Sequence, residues 1–565
     1  MKRLISQFSL VRGAWALGVS LTFCHLSAQE LRSAEPLRIQ SANSPSVDVT
    51  ERRIRANAHY AAGIGHHAKG EVEQAAKELL LAVEIDPNNS ALILRVAEKL
   101  LEWRLLDQAL EVLETASQQA NPTVDVFTRK GITLKALGKE KESLVAFKEA
   151  LAISPGNAQA RRELVTARLI EKDVEGALNI IREGVALPSL SGEQLAGLVE
   201  LYIQTIASSP NLLAELKGEL LALLERTQKF KLEKPEHRVV LADGFTFTGE
   251  IVAAQEILEA VVQSAPDTAL AREKLVDLYL REGMAAEAVE QLNTLIALNP
   301  RNPSAHYLLG SIAADNEEFE KAVLHYEKAI EIRPEFEPPY YEMVGIHLNT
   351  RQPRKALDVL TQARIRFPKR FLGEFYTGIA LASLRRTKEA LTHLSEAELI
   401  ATKQAPQRLT PFFYFQLGSM FERNGNLNKA EEKFLKSLAV NPDDAETLNY
   451  LGYMWAEKGK KLRQASEWIS KAMKLEPDSA AIQDSMGWVL FQLGEYKKAL
   501  PHLLNAEAGL EQPDPVILEH LGDTYHALGQ KEKASKAWES SLELEFNERI
   551  FQKIHSKNTA ETSSP

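Results

Sequence analysis

The feature that most limits what this chain can fold into is a recurrence near its C-terminus. Leu417-Gly418 is followed by Gly425, Ala430, Phe434 and Pro442, and Leu451-Gly452 by Gly459, Ala465, Ala472 and Pro477. Met486-Gly487 is followed by Gly494, Ala499, Leu503 and Ala506, and a weaker copy runs Leu521-Gly522, Gly529, Ala534, Trp538. The leading glycines are 34, 35 and 35 residues apart. Small residues held in phase at that period predict pairs of short helices. The second glycine of each copy lets the chain leave the first helix in a left-handed conformation. Gly452 is expected to face Ala465 and Ala472, so that the two backbones approach closely while Trp455, Trp468 and Ile469 fill the rims. Pro442 and Pro477 lack the amide hydrogen a helix needs, and so end the second helix. A hairpin of this size cannot bury its apolar face alone. It must stack on a neighbour, which is why the pattern has to recur.

It does recur. Counting back from Pro87 gives 56–89 with Gly63, Ala75 and Ala82, then 90–123 with Ala97, Ala109 and Ala116, then 124–157 with Gly131, Phe147 and Pro155. A degenerate copy, 158–191, keeps Ala177. Residues 192–234 lose the period but keep helical apolar spacing (Leu195, Leu198, Val199, Tyr202; Leu213, Leu216, Leu220, Leu224), which predicts an irregular helical pair. From 235 to 402 the register returns, marked by Ala254, Ala288, Ala322, Ala356 and Ala390, by Pro300 and Pro334, and by Gly310 and Gly378. A break at 403–410 precedes the 411–548 block. Residues 549–556 are expected to cap the last repeat and 557–565 to be disordered.

A period of 34 with small residues at positions 8, 20 and 27 and proline at 32 resembles the tetratricopeptide repeat (TPR) superfamily. The resemblance covers nearly all of the chain after its first 55 residues. It implies an all-α, right-handed TPR superhelical solenoid of about thirteen helix-turn-helix repeats.

The N-terminus reads differently. Lys2, Arg3 and Arg12 precede a short apolar core, Ala14 to Phe23, and Ala28 suits cleavage, so residues 1–28 are expected to be a secretory signal peptide. Its removal takes away three cations and no acid, moving the formal net charge from −10 to −13. That balance, with no concentrated basic face, argues against nucleic-acid binding. The single cysteine, Cys24, follows Leu21-Thr22-Phe23, and Phe23 departs from the lipoprotein cleavage pattern. Ordinary cleavage is therefore expected, with lipid anchoring through Cys24 as the alternative. Residues 29–55 read as a flexible leader. The expected location is the periplasm or the outer membrane.

Catalytic and ligand patterns are missing from the sequence. Gly63-Ile64-Gly65-His66-His67-Ala68-Lys69-Gly70 lacks the terminal Gly-Lys-Ser/Thr of a phosphate loop and falls on a helix and its turn. His59, His66 and His67 have no partner at metal-ligand spacing. The expectation is a protein with no enzymatic activity, no cofactor and no metal.

The resemblance implies that the first (A) helix of each repeat lines a concave groove, with positions 2, 5, 9 and 12 facing into it. Position 5 reads Tyr307, Tyr341, Phe375, Phe415 and Asn449; neighbouring groove positions add Phe412, Tyr453, Trp488 and Phe491. These predict an aromatic track that binds an extended partner segment, because large rings dominate interface energetics. Packing of the same rings between successive A helices is the alternative. Asp243, Glu273 and Asp277 point to some basic character in the partner.

A closer resemblance lies in 445–541. Leu448-Asn449-Tyr450-Leu451-Gly452-Tyr453, the run Ala480 to Trp488, and His520-Leu521-Gly522-Asp523 look like the C-terminal block of large bacterial envelope TPR proteins. Among those are lipoprotein adaptors of carboxyl-terminal processing proteases. The resemblance implies an exported scaffold for protein partners during envelope complex assembly or proteolysis. A carbohydrate-handling scaffold of an exopolysaccharide export system, stacking sugars on the rings, is the second reading.

Overall fold

The computed structural model describes residues 49–119 and 121–555. These residues form α-helices joined by short connections, with two 3-10 turns and no strand among them. The all-α array of TPR hairpins expected from the period is the fold. Two compact bodies divide between Ala305 and His306. The expected signal peptide with Cys24, most of the leader and the tail from 556 onward lie outside the described residues.

A left-handed residue marks each hairpin. Such residues are Gly70, Arg104, Gly138 and Lys172, then Gly249, Gly283, Glu317, Arg351 and Arg385, then Gly425, Gly459, Gly494 and Gly529. These are thirteen turns among the described residues, stepping by 34 within each run and by 35 at the last two steps. The hairpin Pro411–Arg423 and Leu427–Val440 shows how the sequence builds one. The Thr410 hydroxyl accepts from the Phe413 amide at 3.2 Å and Pro411 occupies the first turn, where no amide hydrogen is needed. At the far end Gly425 (φ +80°) donates to the Glu422 carbonyl and the Asn426 amide to the Phe421 carbonyl, both at 2.8 Å. This paired bonding satisfies the last carbonyls of the helix. The Asn426 side chain then caps the second helix by accepting from Lys429 N.

The glycine at position 8 of the A helix is a hole, and a large side chain fills it. A Cβ on Gly418 would come within 2.7 Å of the Phe434 ring. Gly63 faces Leu79, Gly131 faces Phe147, Gly310 faces Tyr326, Gly378 faces Leu394, Gly487 faces Leu503 and Gly522 faces Trp538, each partner 16 residues on. Gly452 corrects the sequence expectation. It faces Ile469, not Ala472, together with the Ala465 carbonyl. Its partner is 17 residues on because the turn holds one extra residue, with Gly459 and Lys461 both left-handed. Ala322, Ala356, Ala390, Ala430 and Ala499 are fully buried. Pro300, Pro334, Pro442 and Pro477 sit in the turns that follow the second helices.

A polar bolt runs beside this apolar contact, between positions 4 and 23. His59 meets Glu78 at 2.7 Å, Arg272 meets Gln291 at 2.5 Å, Glu374 meets His393 at 2.6 Å and Gln483 meets His502 at 2.8 Å. The position-4 side chain also reaches back to the preceding proline carbonyl: Arg161 to Pro155, Arg272 to Pro266, Tyr340 to Pro334 and Gln483 to Pro477. Each such bond satisfies a carbonyl left open at the end of a second helix.

Two stretches depart from the repeat. The helices Gly192–Ser208 and Leu213–Gln228 have 17 and 16 residues, and no small-residue contact closes them. Instead the buried Tyr202 hydroxyl donates to Glu219 at 2.7 Å, and Arg182 grips the same carboxylate through Nε and Nη2 at 3.0 and 2.9 Å. At the start, residues 49–55, expected in the leader, belong to the helix Val49–Ala68. Their good helix formers let the first A helix continue upstream.

Candidate partner groove

Between His306 and His555 the A helices 371–383, 411–423, 445–457, 480–492 and 515–527 carry most of the expected groove residues. Helix 445–457 packs against 480–492, and 480–492 against 515–527. The fate of each ring is set by that A-to-A packing.

Four rings are core. Phe375 is 3% exposed, packed on Phe371, Phe412 and Phe413 with centroids 5.5 to 6.2 Å away. Tyr341 is buried against Tyr376, and Phe415 lies between Phe434 and Tyr450. Trp488, 5% exposed, is sandwiched between Phe491 at 5.0 Å and His520 at 4.0 Å, both nearly parallel to it. A bulky position-5 or position-9 side chain fills the gap left where two A helices lie side by side, so these faces are not open to a partner. Tyr307, Phe412, Asn449, Tyr453 and Phe491 are half-buried and keep some surface. Tyr307 leans on Tyr326 and Phe336.

The C-terminal end of the groove holds polar groups that a search for aromatic residues passes over. The buried pair His520 and Asp484 bonds at 2.8 Å across 36 residues, tying two A helices together. The Tyr453 hydroxyl meets Glu457 at 3.4 Å, and burial followed by the Glu457 and Asp484 carboxylates pushes its pKa up. Glu457 has no cation within ion-pair distance among the described residues. Glu519 and Asp523, by contrast, are neutralised by Lys553 of the terminal helix Glu548–His555 at 2.6 to 3.0 Å. Two buried polar atoms remain without a hydrogen-bond partner: Asn449 Oδ1, an acceptor, and Trp488 Nε1, a donor. They sit on the neighbouring helices 445–457 and 480–492. Burying such groups unpaired costs about 1–3 kcal/mol each. The signal in the sequence was the change of position 5 from rings to Asn449, Asp484 and Glu519.

The acidic positions upstream read differently in three dimensions. Asp243 pairs with Lys274 and Asp277 with Arg281, each at 2.7 Å, so neither offers a free charge to a basic partner. Glu273 is exposed. His59 and His66 each meet a glutamate, and His67 stacks on Trp103 at 3.9 Å. Among the described residues no group of three metal-ligating side chains comes together, and no helix is long and apolar enough to cross a membrane.

Comparison with known proteins agrees with the repeat geometry. Residues 278–537 match the tetratricopeptide repeat family model, which with the hairpin register supports the TPR superfamily. The PEX5-related protein of Homo sapiens is 25% identical over 179 residues, 31% of this chain and 29% of that protein. Its Mus musculus counterpart is 25% identical over 179 residues, covering 32% of its own length. The chain thus spans under a third of the length of these relatives. Among solved structures, the APC/C hetero-tetramer Cut9–Hcn1 has 16% identity and a TM-score of 0.35, covering 77% of this chain and 90% of that one. YrrB, described as a TPR protein with an unusual peptide-binding site, has 19% identity and a TM-score of 0.30, covering 37% and 97%.

Proposed function

We propose that this repeat protein, whose fold suits protein binding and scaffolding, works as an exported scaffold of the cell envelope. In this reading it holds an extended segment of a partner protein in the groove of helices 445–457, 480–492 and 515–527. The observation that carries the groove is the unpaired couple Asn449 Oδ1 and Trp488 Nε1. An acceptor and a donor left open on adjacent helices match the N–H and C=O of a peptide chain, and pairing would remove their desolvation cost. The half-buried rings of Tyr453 and Phe491 flank them and supply apolar area. Export rests on the N-terminal pattern Lys2, Arg3, Ala14 to Phe23 and Ala28. Periplasmic or outer-membrane placement, proteolytic or assembly partners and lipid anchoring through Cys24 belong to the same proposal.

The sugar-stacking reading lacks a platform, since Trp488 is covered on both faces and Phe375 is enclosed.

The test pairs capture of binding proteins from the native envelope with two conservative variants. Trp488→Phe keeps a ring in the stack and removes only the donor; Asn449→Ala removes the acceptor. Each is expected to weaken retention of the captured partner by roughly 5- to 30-fold at unchanged helicity, the worth of one or two hydrogen bonds. Retention equal to wild type in both would end the groove assignment. Finding the intact chain, leader attached, in the cytoplasm would end the envelope assignment and leave the groove standing.

A further inference from the structure

The first helix carries a feature the groove does not use. Val49–Ala68 has 20 residues, whereas the A helices Ser90–Glu102 and Val124–Ala136 have 13. The excess lies upstream of the buried Ala56, about 10 Å of helix at 1.5 Å per residue. Arg52, Arg53 and Arg55 lie on it, all exposed and none with an ion-pair or hydrogen-bond partner among the described residues. Elsewhere in this body arginines and lysines on A helices are paired: Arg129 with Glu98, Lys135 with Glu163, Arg162 with Glu200. Three cations near a helix N-terminus also oppose the helix dipole, so the fold gains nothing from them. Beside them Ile54 is 64% exposed and Val49 50%.

We propose that this overhang is a docking surface for an anionic lipid bilayer, with Arg52, Arg53 and Arg55 on the headgroup phosphates and Ile54 and Val49 among the outer acyl carbons. Guanidinium groups pair phosphate in a forked geometry, and exposed aliphatics beside them favour a headgroup–acyl boundary over an acidic protein face. The cluster opposes a chain of net charge −10, so the attraction is confined to this end. The inference is independent of the groove and of any partner held there.

The test is sedimentation of the full chain with phosphatidylcholine vesicles, with and without phosphatidylglycerol, at about 0.1 M salt. The apolar stretch 14–23 is present in every variant and contributes equally to both vesicle types. Wild type is expected to bind the phosphatidylglycerol vesicles more tightly. Arg52→Gln, Arg53→Gln and Arg55→Gln together should remove on the order of a 100-fold increment, from about 1 kcal/mol per cation near an anionic surface. The same charge change at paired sites, Arg129→Gln, Lys135→Gln and Arg162→Gln, should leave it intact. Equal binding of wild type to both vesicle types, or an unchanged increment in the first triple variant, would overturn the proposal. So would displacement by inorganic phosphate or by poly-glutamate at matched charge, which would assign the cluster to a free anion or an acidic protein instead.

Discussion

The hairpin 411–440 and the helix pair 192–228 meet one requirement, two antiparallel helices held together, by different chemistry. In the first, Gly418 leaves a hole and the Phe434 ring fills it. In the second there is no hole. A Cβ on Gly197 would meet nothing within 4 Å, and closure depends on Leu195, Val199, Leu220 and Leu224 with the Tyr202–Glu219–Arg182 cluster at its edge. Steric fit demands one spacing and repeats it. A hydrogen-bonded edge tolerates longer helices of unequal length, which is why the period lapses there and nowhere else for so long. The contrast teaches that the repeat length is fixed by a knob and a hole, not by helical hydrogen bonding as such.

The comparison can be broken most forcefully by emptying a knob. Phe434→Ala should cost about 3–5 kcal/mol, the usual loss for a buried ring, measured as a fall in the urea midpoint of far-UV ellipticity. Overfilling a hole comes next. Gly310→Leu, driven against Tyr326, should cost roughly 1–3 kcal/mol, and a melting curve like that of wild type would refute the knob-and-hole register. In the irregular pair the expected effects are smaller. Tyr202→Phe removes one hydrogen bond to a charged acceptor and should cost about 1.5–3 kcal/mol at most, less because Glu219 is partly solvated.

The same cluster sets a pH signature. Hydrogen bonds from Arg182 hold the Glu219 carboxyl below its ordinary value of 4.5, against the opposing effect of burial. A depressed folded-state pKa stabilises above the unfolded value and ceases to do so as pH falls through the folded one. The difference in urea midpoint between wild type and Glu219→Gln should therefore be flat near neutral pH and shrink below 4.5; a constant difference into acid would remove Glu219 from the account. The smallest effect has the opposite sign. Gly197→Ala, in a helix with open space around it, should stabilise by about 0.5–1 kcal/mol.

These contrasts also explain what could be read in advance. The hairpins were legible because glycine at position 8, alanine at 20 and proline at 32 each answer to a contact inside one repeat. Which large residue each glycine meets was less so: the extra residue at Lys461 moved the partner of Gly452 to Ile469. The groove was legible only in outline. Whether Phe375 or Trp488 faces a partner depends on the next A helix, an arrangement that spacing within a repeat does not encode. The bolts between positions 4 and 23 were invisible for another reason: His, Arg, Glu and Gln alternate in them, so no residue type recurs.

Five of the thirteen turns do without glycine. Arg104, Lys172, Glu317, Arg351 and Arg385 hold φ between +56° and +62°, a conformation that costs an L-residue roughly 1–2 kcal/mol. Three of them are consecutive, at 317, 351 and 385, so local tension is concentrated in one stretch of the array. Heat or denaturant should fray that stretch early in hydrogen exchange, and its hinges would yield first if a bound chain pulled on the row.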